Sequence, residues 1–381
     1  MLTALTAVGQ FASSVYLPAL PAMTRALGTD LPTAQLTLTA FLIAFAVTQL
    51  VCGPVSDRFG RRHLALIGLG IFLLGSVVAA LAGGIGAVFL GRVLQGIGAA
   101  ASTIASRAAI RDCFDGPEVA RVMALTTMVF GLVPGLAPLL GGALQDGFGW
   151  SATLWSAALA GAAVLAAAAL WFPETIQARM PALNLGAALA AYAPILRSRA
   201  YLGYASAGAL GLGSLFAFLA ASSAVYINHL GASATEYGLY PPFGVTAFVV
   251  GAAAARRLAG RVPAPKLVRR AYIVVLAGAI GIAVLPAIGL FDKVPIMVGM
   301  VVFSLGLGVV MPTGVAAAIT PFADRAGTAA ALIGFLQLGG SALGTAVASA
   351  LDPALGPIAF PVTMALLSGV GGVLLIWLVP R

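Results

Sequence analysis

Twelve apolar blocks follow one another along the 381 residues, each about as long as a helix must be to cross a bilayer. A helix rising about 1.5 Å per residue needs roughly 20 apolar residues to traverse about 30 Å of hydrocarbon. The blocks run 2–22, 33–55, 64–82, 85–110, 119–144, 151–172, 201–227, 236–255, 271–290, 295–320, 327–351 and 358–379. Turn-forming strings separate them, among them Gly28-Thr29-Asp30-Leu31-Pro32, Gly83-Gly84, Asp146-Gly147-Phe148-Gly149 and Asp352-Pro353. Barrel strands would be shorter and would alternate in polarity. With 61% hydrophobic and 8% charged residues, a soluble protein of this size would lack a water-compatible surface. The expected fold class is an all-α membrane protein of twelve transmembrane helices.

The formal charge of +9 would suggest a nucleic-acid partner in a soluble chain, but here the basic residues lie between apolar blocks and read as a topology signal instead. With the N-terminus inside, one face holds Arg58, Arg61, Arg62, Arg111, Arg121, Arg179, Arg197, Arg199, Arg256, Arg257, Arg261, Lys266, Arg269, Arg270, Arg325 and Arg381. The other face holds Arg25 and Lys293, while Arg92 and Arg107 fall within a helix. Both termini are therefore expected on the cytoplasmic side of a bacterial inner membrane. The longest polar interval, Pro173 to Arg199, contains Pro173, Pro181 and Pro194 and divides the chain six plus six. The expected parts are an N-terminal bundle over 1–172, a cytoplasmic linker over 173–200 and a C-terminal bundle over 201–381. Two such bundles would place a substrate cavity near the midplane and alternate its access by rocking. Direct sequence repetition between the halves is slight, so this symmetry rests on hydropathy.

The first block lacks a basic leader and continues into Tyr16-Leu17-Pro18-Ala19-Leu20-Pro21, so a first membrane helix is expected in place of a cleaved signal. Cys52 and Cys113 are expected as unpaired thiols, and neither His63 nor His229 has neighbours at metal-ligand spacing. There is no nucleophile elbow, phosphate-binding loop or zinc signature. No metal, cofactor or enzymatic activity is expected.

After the second block comes Gly53-Pro54-Val55-Ser56-Asp57-Arg58-Phe59-Gly60-Arg61-Arg62. Gly53 is expected to permit close helix packing, Gly60 to take a positive φ, and Asp57 to accept charge-assisted hydrogen bonds. A plain basic loop would account for Arg58, Arg61 and Arg62 but not for the Asp and two Gly at these spacings. The string resembles the Gly-x-x-x-Asp-Arg-x-Gly-Arg-Arg loop of the major facilitator superfamily, which implies a two-bundle fold and a cytoplasmic latch that forms and breaks as the halves rock. Two further strings are similar to signatures of that family. In the fourth block these are Arg92-Val93-Leu94-Gln95-Gly96-Ile97-Gly98-Ala99-Ala100. In the fifth, Gly131, Pro134, Gly135, Pro138, Gly141 and Gly142 resemble a Gly/Pro-rich exporter motif, with Ala137 where the general pattern has Gly. Small residues let helices touch, Pro134 and Pro138 weaken the intervening backbone bonds, and ordinary close packing remains the alternative reading.

Within the superfamily the chain is similar to the Bcr/CflA family of bicyclomycin and chloramphenicol exporters. The likeness rests on Tyr16 to Pro21, on Gln49 with the loop after it, on Ala105-Ser106-Arg107-Ala108-Ala109-Ile110-Arg111-Asp112, on Pro173-Glu174-Thr175 and on Ala331 to Gln337. It is looser in the second half, where Arg256 to Arg270 show no second copy of the latch. The resemblance implies a proton-coupled exporter of small molecules, working as a monomer in the lipid bilayer. Members of this family usually carry an Asp two residues before the Tyr-Leu-Pro string, and here that position is Ser14. No Asp or Glu then stands in the middle third of any block, although intramembrane carboxylates are the usual proton carriers and partners of cationic drugs. A neutral amphiphile is the expected substrate. Export of a native metabolite such as a sugar or amino-acid derivative, an uncoupled facilitator and a non-transport membrane protein are the alternatives.

At about 100° per residue, Arg92, Gln95, Ser102, Thr103, Ser106 and Arg107 share one arc of about 140° on the fourth block. Two arginines on that face imply a water-filled cavity or a bundle interior, with Arg107 alternatively snorkelling to the surface. Arg92, Gln95 and Arg107 are the coupling candidates. Substrate contacts are expected from Gln10, Ser14, Tyr16, Phe41, Phe45, Gln49, Phe216 and Gln337, with Ser13, Phe218 and Tyr226 as further members. Aromatics at such spacing equally serve packing.

Overall fold

The computed structural model describes residues 1–114, 117–176, 186 and 190–379, with the backbone course alone for part of 117–131 and for 323–324. Arg179, Pro181 and Arg381 lie outside the described residues, as do the side chains of Arg121 and Asp324 and the surroundings of Gly131. Among the described residues there are helices and turns but no strand.

The first block departs from expectation because of its prolines. Helix α1 (Leu2–Ser14) stops, a 3-10 turn spans Leu17–Ala19, and α2 (Leu20–Leu27) follows in place of one helix over 2–22. Pro18 and Pro21 have no N–H to donate back by four residues, so the ladder cannot continue through Tyr16 and Leu17. Gly28 ends α2 at φ 60°, and the Asp30 carboxylate caps α3 (Leu31–Phe59) by accepting from Thr33 N–H at 2.7 Å. Then come α4 (Arg61–Ala80), α5 (Ile85–Cys113), α6 (Pro117–Phe148) and α7 (Trp150–Trp171). Helix α6 runs through Pro134 and Pro138 without interruption.

After a four-residue α8 (Ala193–Leu196), α9 (Arg199–Ala224) continues into a π-helical turn over Val225–His229. The block expected at 236–255 is two helices, α10 (Ala234–Gly238) and α11 (Pro241–Leu258), because Pro241 and Pro242 suit the first turn of a new helix but not the interior of an old one. The block expected at 271–290 is α12 (Ala264–Val284), displaced towards the N-terminus. Pro265 starts it, so Lys266, Arg269 and Arg270 are helical and not loop residues. The chain ends with α13 (Lys293–Ile319), α14 (Ala326–Leu355) and α15 (Ala359–Leu378).

Nine stretches among the described residues are long and apolar enough to cross a membrane, and the last of them, Ala326–Leu378, holds both α14 and α15. A count of twelve spans is compatible with this architecture. Leu159, Leu170, Trp171, Ile67, Val373 and Trp377 are each more than half exposed, which suits a surface solvated by lipid.

The chain forms two compact units, Met1–Ala188 with Ser233–Gly238, and Leu189–Ala232 with Leu239–Arg381. Their internal neighbour patterns repeat. In the first unit α5 packs on α4 and α3, α7 on α4, and α6 on α1. In the second, α13 packs on α12 and α11, α15 on α12, and α14 on α9. The two units thus share a pattern of packing without sharing sequence motifs.

Candidate functional site

Arg92 lies on α5 in the first unit and is fully buried. Its Nη1 donates to the Ala12 carbonyl of α1 at 2.9 Å and to Gln95 Oε1 at 2.7 Å. Gln95 Nε2 in turn donates to Ser76 Oγ on α4 at 2.8 Å, and Ser76 donates to the Phe72 carbonyl. The guanidinium carbon stands 4.2 Å from the Tyr16 ring centre and 4.5 Å from that of Phe41. No carboxylate is paired with Arg92 among the described residues. Its Nε and Nη2 have no hydrogen-bond partner there. An isolated buried cation costs several kcal/mol. Two desolvated ring faces at about 2 kcal/mol each and two charged hydrogen bonds at about 1.5–3 kcal/mol each are of the size needed to hold it.

The arc expected on this helix faces the interior of the bundle: Gln95, Ser102, Thr103 and Ser106 are buried with Arg92. Arg107 is half-buried. Ser106 Oγ donates to the Leu2 carbonyl at 2.8 Å, which ties the lower part of α5 to α1. Gly96 and Gly98 permit α5 to sit this close to its neighbours. A Cβ at Gly96 would run into the Phe41 carbonyl of α3, and one at Gly98 into the Gly68 carbonyl of α4.

The hydroxyls at the end of α1 bond to one another and to the main chain. Ser14 is fully buried, with its Oγ 3.2 Å from Ser13 Oγ. Ser13 already donates to the Gln10 carbonyl at 2.8 Å, so Ser14 is the donor between them. By the same logic Tyr16 O–H donates to Thr37 Oγ1 at 3.3 Å, since Thr37 donates to the Ala34 carbonyl. Phe45 meets Phe41 edge to face at 6.0 Å. Gln10 and Gln49 are buried in the first unit, and Phe216 in the second. Gln337 borders a gap in the second unit too narrow to admit a water molecule, beside Tyr204, Gly208 and Met311. Its Nε2 lies 4.0 Å from Met311 Sδ, a weak acceptor. The sequence reading missed Ser76, Thr37, Tyr204 and Met311. Ser76 was legible as a lone hydroxyl inside an apolar block; the others carried no signal.

The loop between α3 and α4 is a charged network. Arg61 Nη1 donates to Asp57 Oδ1 at 2.5 Å and to Ser56 Oγ at 3.0 Å, while its Nε donates to Asp112 Oδ2 at 2.8 Å. Thr175 Oγ1 donates to the same Asp112 oxygen at 3.1 Å. Glu174 Oε1 accepts from the backbone N–H groups of Arg61 at 2.8 Å and Thr175 at 3.0 Å. Partial burial pushes this carboxyl up, but the N–H groups of Arg61, Ile176, Thr175 and Arg62 outweigh burial and hold it below the usual carboxylate range. Gly60 has φ 100° and ψ 156°, and a Cβ there would collide with the Glu174 carboxylate. Arg62 donates to the Ala169 carbonyl at 2.7 Å, and Arg58 lies over the Phe59 ring. The expectation for Gly53 is corrected: a Cβ there would meet nothing within 4 Å, so no close helix crossing depends on it.

On α6, Gly141 lies against the Val15 carbonyl and Gly142 against that of Ala234. Asp146 Oδ2 accepts from Thr235 N–H at 2.8 Å and Thr235 Oγ1 at 2.7 Å, which fixes α10 on α6 within the first unit. Pro138 presents its carbonyl to Gly238, Gly135 is buried, and Pro134 is partly exposed.

The Multidrug resistance protein D of Escherichia coli K12 is 30% identical over 341 residues, covering 90% of this chain and 85% of its own length. The Chloramphenicol resistance protein of Pseudomonas aeruginosa is 30% identical over 87% of this chain and 78% of its own length. The Bicyclomycin resistance protein homolog of Haemophilus influenzae is 29% identical over 92% and 88%. Among solved structures, a D-xylose-proton symporter superposes with a TM-score of 0.77 at 14% identity, covering 100% of this chain and 96% of the other. A POT family transporter in complex with 5-aminolevulinic acid gives 0.78 at 15% identity, covering 99% and 94%. At those identities the structures show a shared fold. The sequence model of the Major Facilitator Superfamily matches residues 2–345, and this chain is therefore a member of that superfamily, a multi-pass transporter of the bacterial inner membrane.

Proposed function

We propose that this transporter exports neutral or amphiphilic drug-like molecules by proton antiport and alternating access, as a monomer with both termini in the cytoplasm. The observation that carries the reading is the charge pattern of the first unit's interior: a buried arginine held by aromatic faces, an amide and a carbonyl, with no carboxylate paired to it among the described residues. Such an interior disfavours a quaternary cation and suits neutral molecules with aromatic surface and hydrogen-bond acceptors. The relatives named for chloramphenicol, bicyclomycin and multidrug resistance support a substrate of that kind.

Coupling is assigned to Arg92. A guanidinium remains charged when buried, so it does not carry the proton itself but opposes protonation of an acid or water that does, and that opposition shifts with any motion that screens Arg92 or exposes it. Gln95 and Ser76 hold the group in register. Asp57, Arg58, Gly60, Arg61 and Arg62 act as a latch on the cytoplasmic side, where Arg61 bridges Asp57 and Asp112 in one state and exchanges those partners in the other. Tyr16, Phe41, Phe45, Gln10, Ser14 and Gln49 supply the first unit's substrate surface, and Phe216 and Gln337 the second's. The Gly/Pro face of α6 is the packing surface that excludes leak. Expression in an efflux-deficient bacterial host, scored against a compound panel, tests the reading. Raised tolerance to neutral aromatic antibiotics, with none to quaternary ammonium compounds, is expected. Tolerance confined to quaternary cations would overturn it.

A further inference from the structure

We propose that the turn joining α11 to α12 is a docking surface for anionic phospholipid headgroups, built from Arg256, Arg257, Arg261, Lys266 and Arg270. The turn is short: α11 ends at Leu258, α12 begins at Ala264, and Gly260 at φ 79° reverses the chain between them. Both helices belong to stretches long and apolar enough to cross a membrane, so the turn lies at headgroup depth. All five side chains are exposed. None has an ion-pair partner among the described residues. The sequence offers no acid from Glu236 to Asp292, so neutralisation has to come from outside this part of the chain.

The corresponding turn of the first unit, between α3 and α4, behaves differently. There Arg61 is neutralised internally by Asp57 and Asp112, and Arg62 donates to a backbone carbonyl. Fixing a loop on one side of the membrane requires only a modest excess of Lys and Arg. Five exposed cations with no acid exceed that need and repel one another, which favours a surface that supplies anions at high density. Phosphate headgroups are the anions present at that depth. Lys266 and Arg270 lie one turn apart on the same face of α12, and Arg256 and Arg257 close α11, so their long stems run along apolar helix surface while the charged ends reach the phosphates. Phosphate headgroups line both surfaces of the bilayer, so the contact forms in either orientation of the chain and whatever the transported molecule is.

The test uses the full chain in nanodiscs of phosphatidylcholine with and without phosphatidylglycerol, read by native mass spectrometry for retained lipid and by thermal unfolding. The native protein should retain phosphatidylglycerol in preference to phosphatidylcholine and unfold at a higher temperature when it is present. The variant Arg256→Gln, Arg257→Gln, Arg261→Gln, Lys266→Gln, Arg270→Gln should lose that preference by at least about tenfold, since each basic residue near an anionic surface contributes roughly fivefold. Replacing the four arginines by lysine should keep it. If the five-fold variant fails to insert, the single changes Arg257→Gln and Lys266→Gln should each lower retention severalfold. Undiminished preference in the neutralised variants, or no preference in the native protein, overturns the proposal, as does complete displacement of the lipid by dilute inorganic phosphate.

Discussion

At the scale of single residues, Ser14 is where this chain departs from the family pattern it resembles, while Arg92 is part of a string that matches it. Ser14 is buried within a run of hydroxyls on α1, two residues before the tyrosine that covers Arg92. An acid placed there would be desolvated, which raises a carboxyl towards the range useful for proton exchange, while the nearby guanidinium would lower it again. Ser14→Asp is therefore expected to gain affinity for cationic compounds and to steepen the pH dependence of transport. Uptake of a cationic and a neutral substrate over a pH series measures both effects, and an unchanged profile would show that Ser14 is remote from the coupling path. The Arg92 charge was legible from sequence as one polar arc on an apolar helix. Its partners were not, because a main-chain carbonyl such as that of Ala12 and a ring face such as that of Phe41 carry no mark in a sequence of similar neighbours.

At the scale of elements, the α3–α4 turn and the Pro173-Glu174-Thr175 string form one assembly. Gly60 has a backbone conformation that other residues adopt at a cost of about 1–3 kcal/mol, and its missing side chain is where the Glu174 carboxylate sits. Gly60→Ala should lower stability by that amount or more and detach Glu174 from the start of α4. Thermal unfolding of purified protein measures it, with Glu174→Gln as the comparison that removes charge without adding bulk. Because the folded-state pKa of Glu174 is depressed, its contribution is fully present above the ordinary carboxylate pKa of about 4.3 and is lost as pH falls through the lower folded value. The native protein should accordingly lose more stability than Glu174→Gln on acidification below that point. The turn and the string were legible separately but not as one assembly, since Arg61 and Glu174 are 113 positions apart in the chain. Element boundaries were legible to within a few residues except where prolines intervened. Pro18 and Pro21 broke the first block, Pro241 and Pro242 divided the eighth, and Pro265 started α12 early, because an apolar run alone does not reveal which backbone N–H groups are absent.

At the scale of the molecule, two units with the same internal neighbour pattern use their charge in opposite ways. The first unit buries Arg92 and closes Arg61 between two aspartates, while the second leaves its basic turn exposed and lines a narrow gap with an amide and a thioether. Hydropathy is alike in both because lipid imposes the same apolar period on each. It did not anticipate this asymmetry, which depends on which side chains meet. The most direct measurement is transport of one neutral substrate in proteoliposomes, with and without an imposed pH gradient, by the native protein and Arg92→Ala. The native protein is expected to accumulate substrate against its gradient only when the pH gradient is present, while Arg92→Ala equilibrates it and accumulates at least about tenfold less, a loss of coupling of roughly 1.4 kcal/mol or more. Undiminished pH-driven accumulation by Arg92→Ala would contradict that expectation.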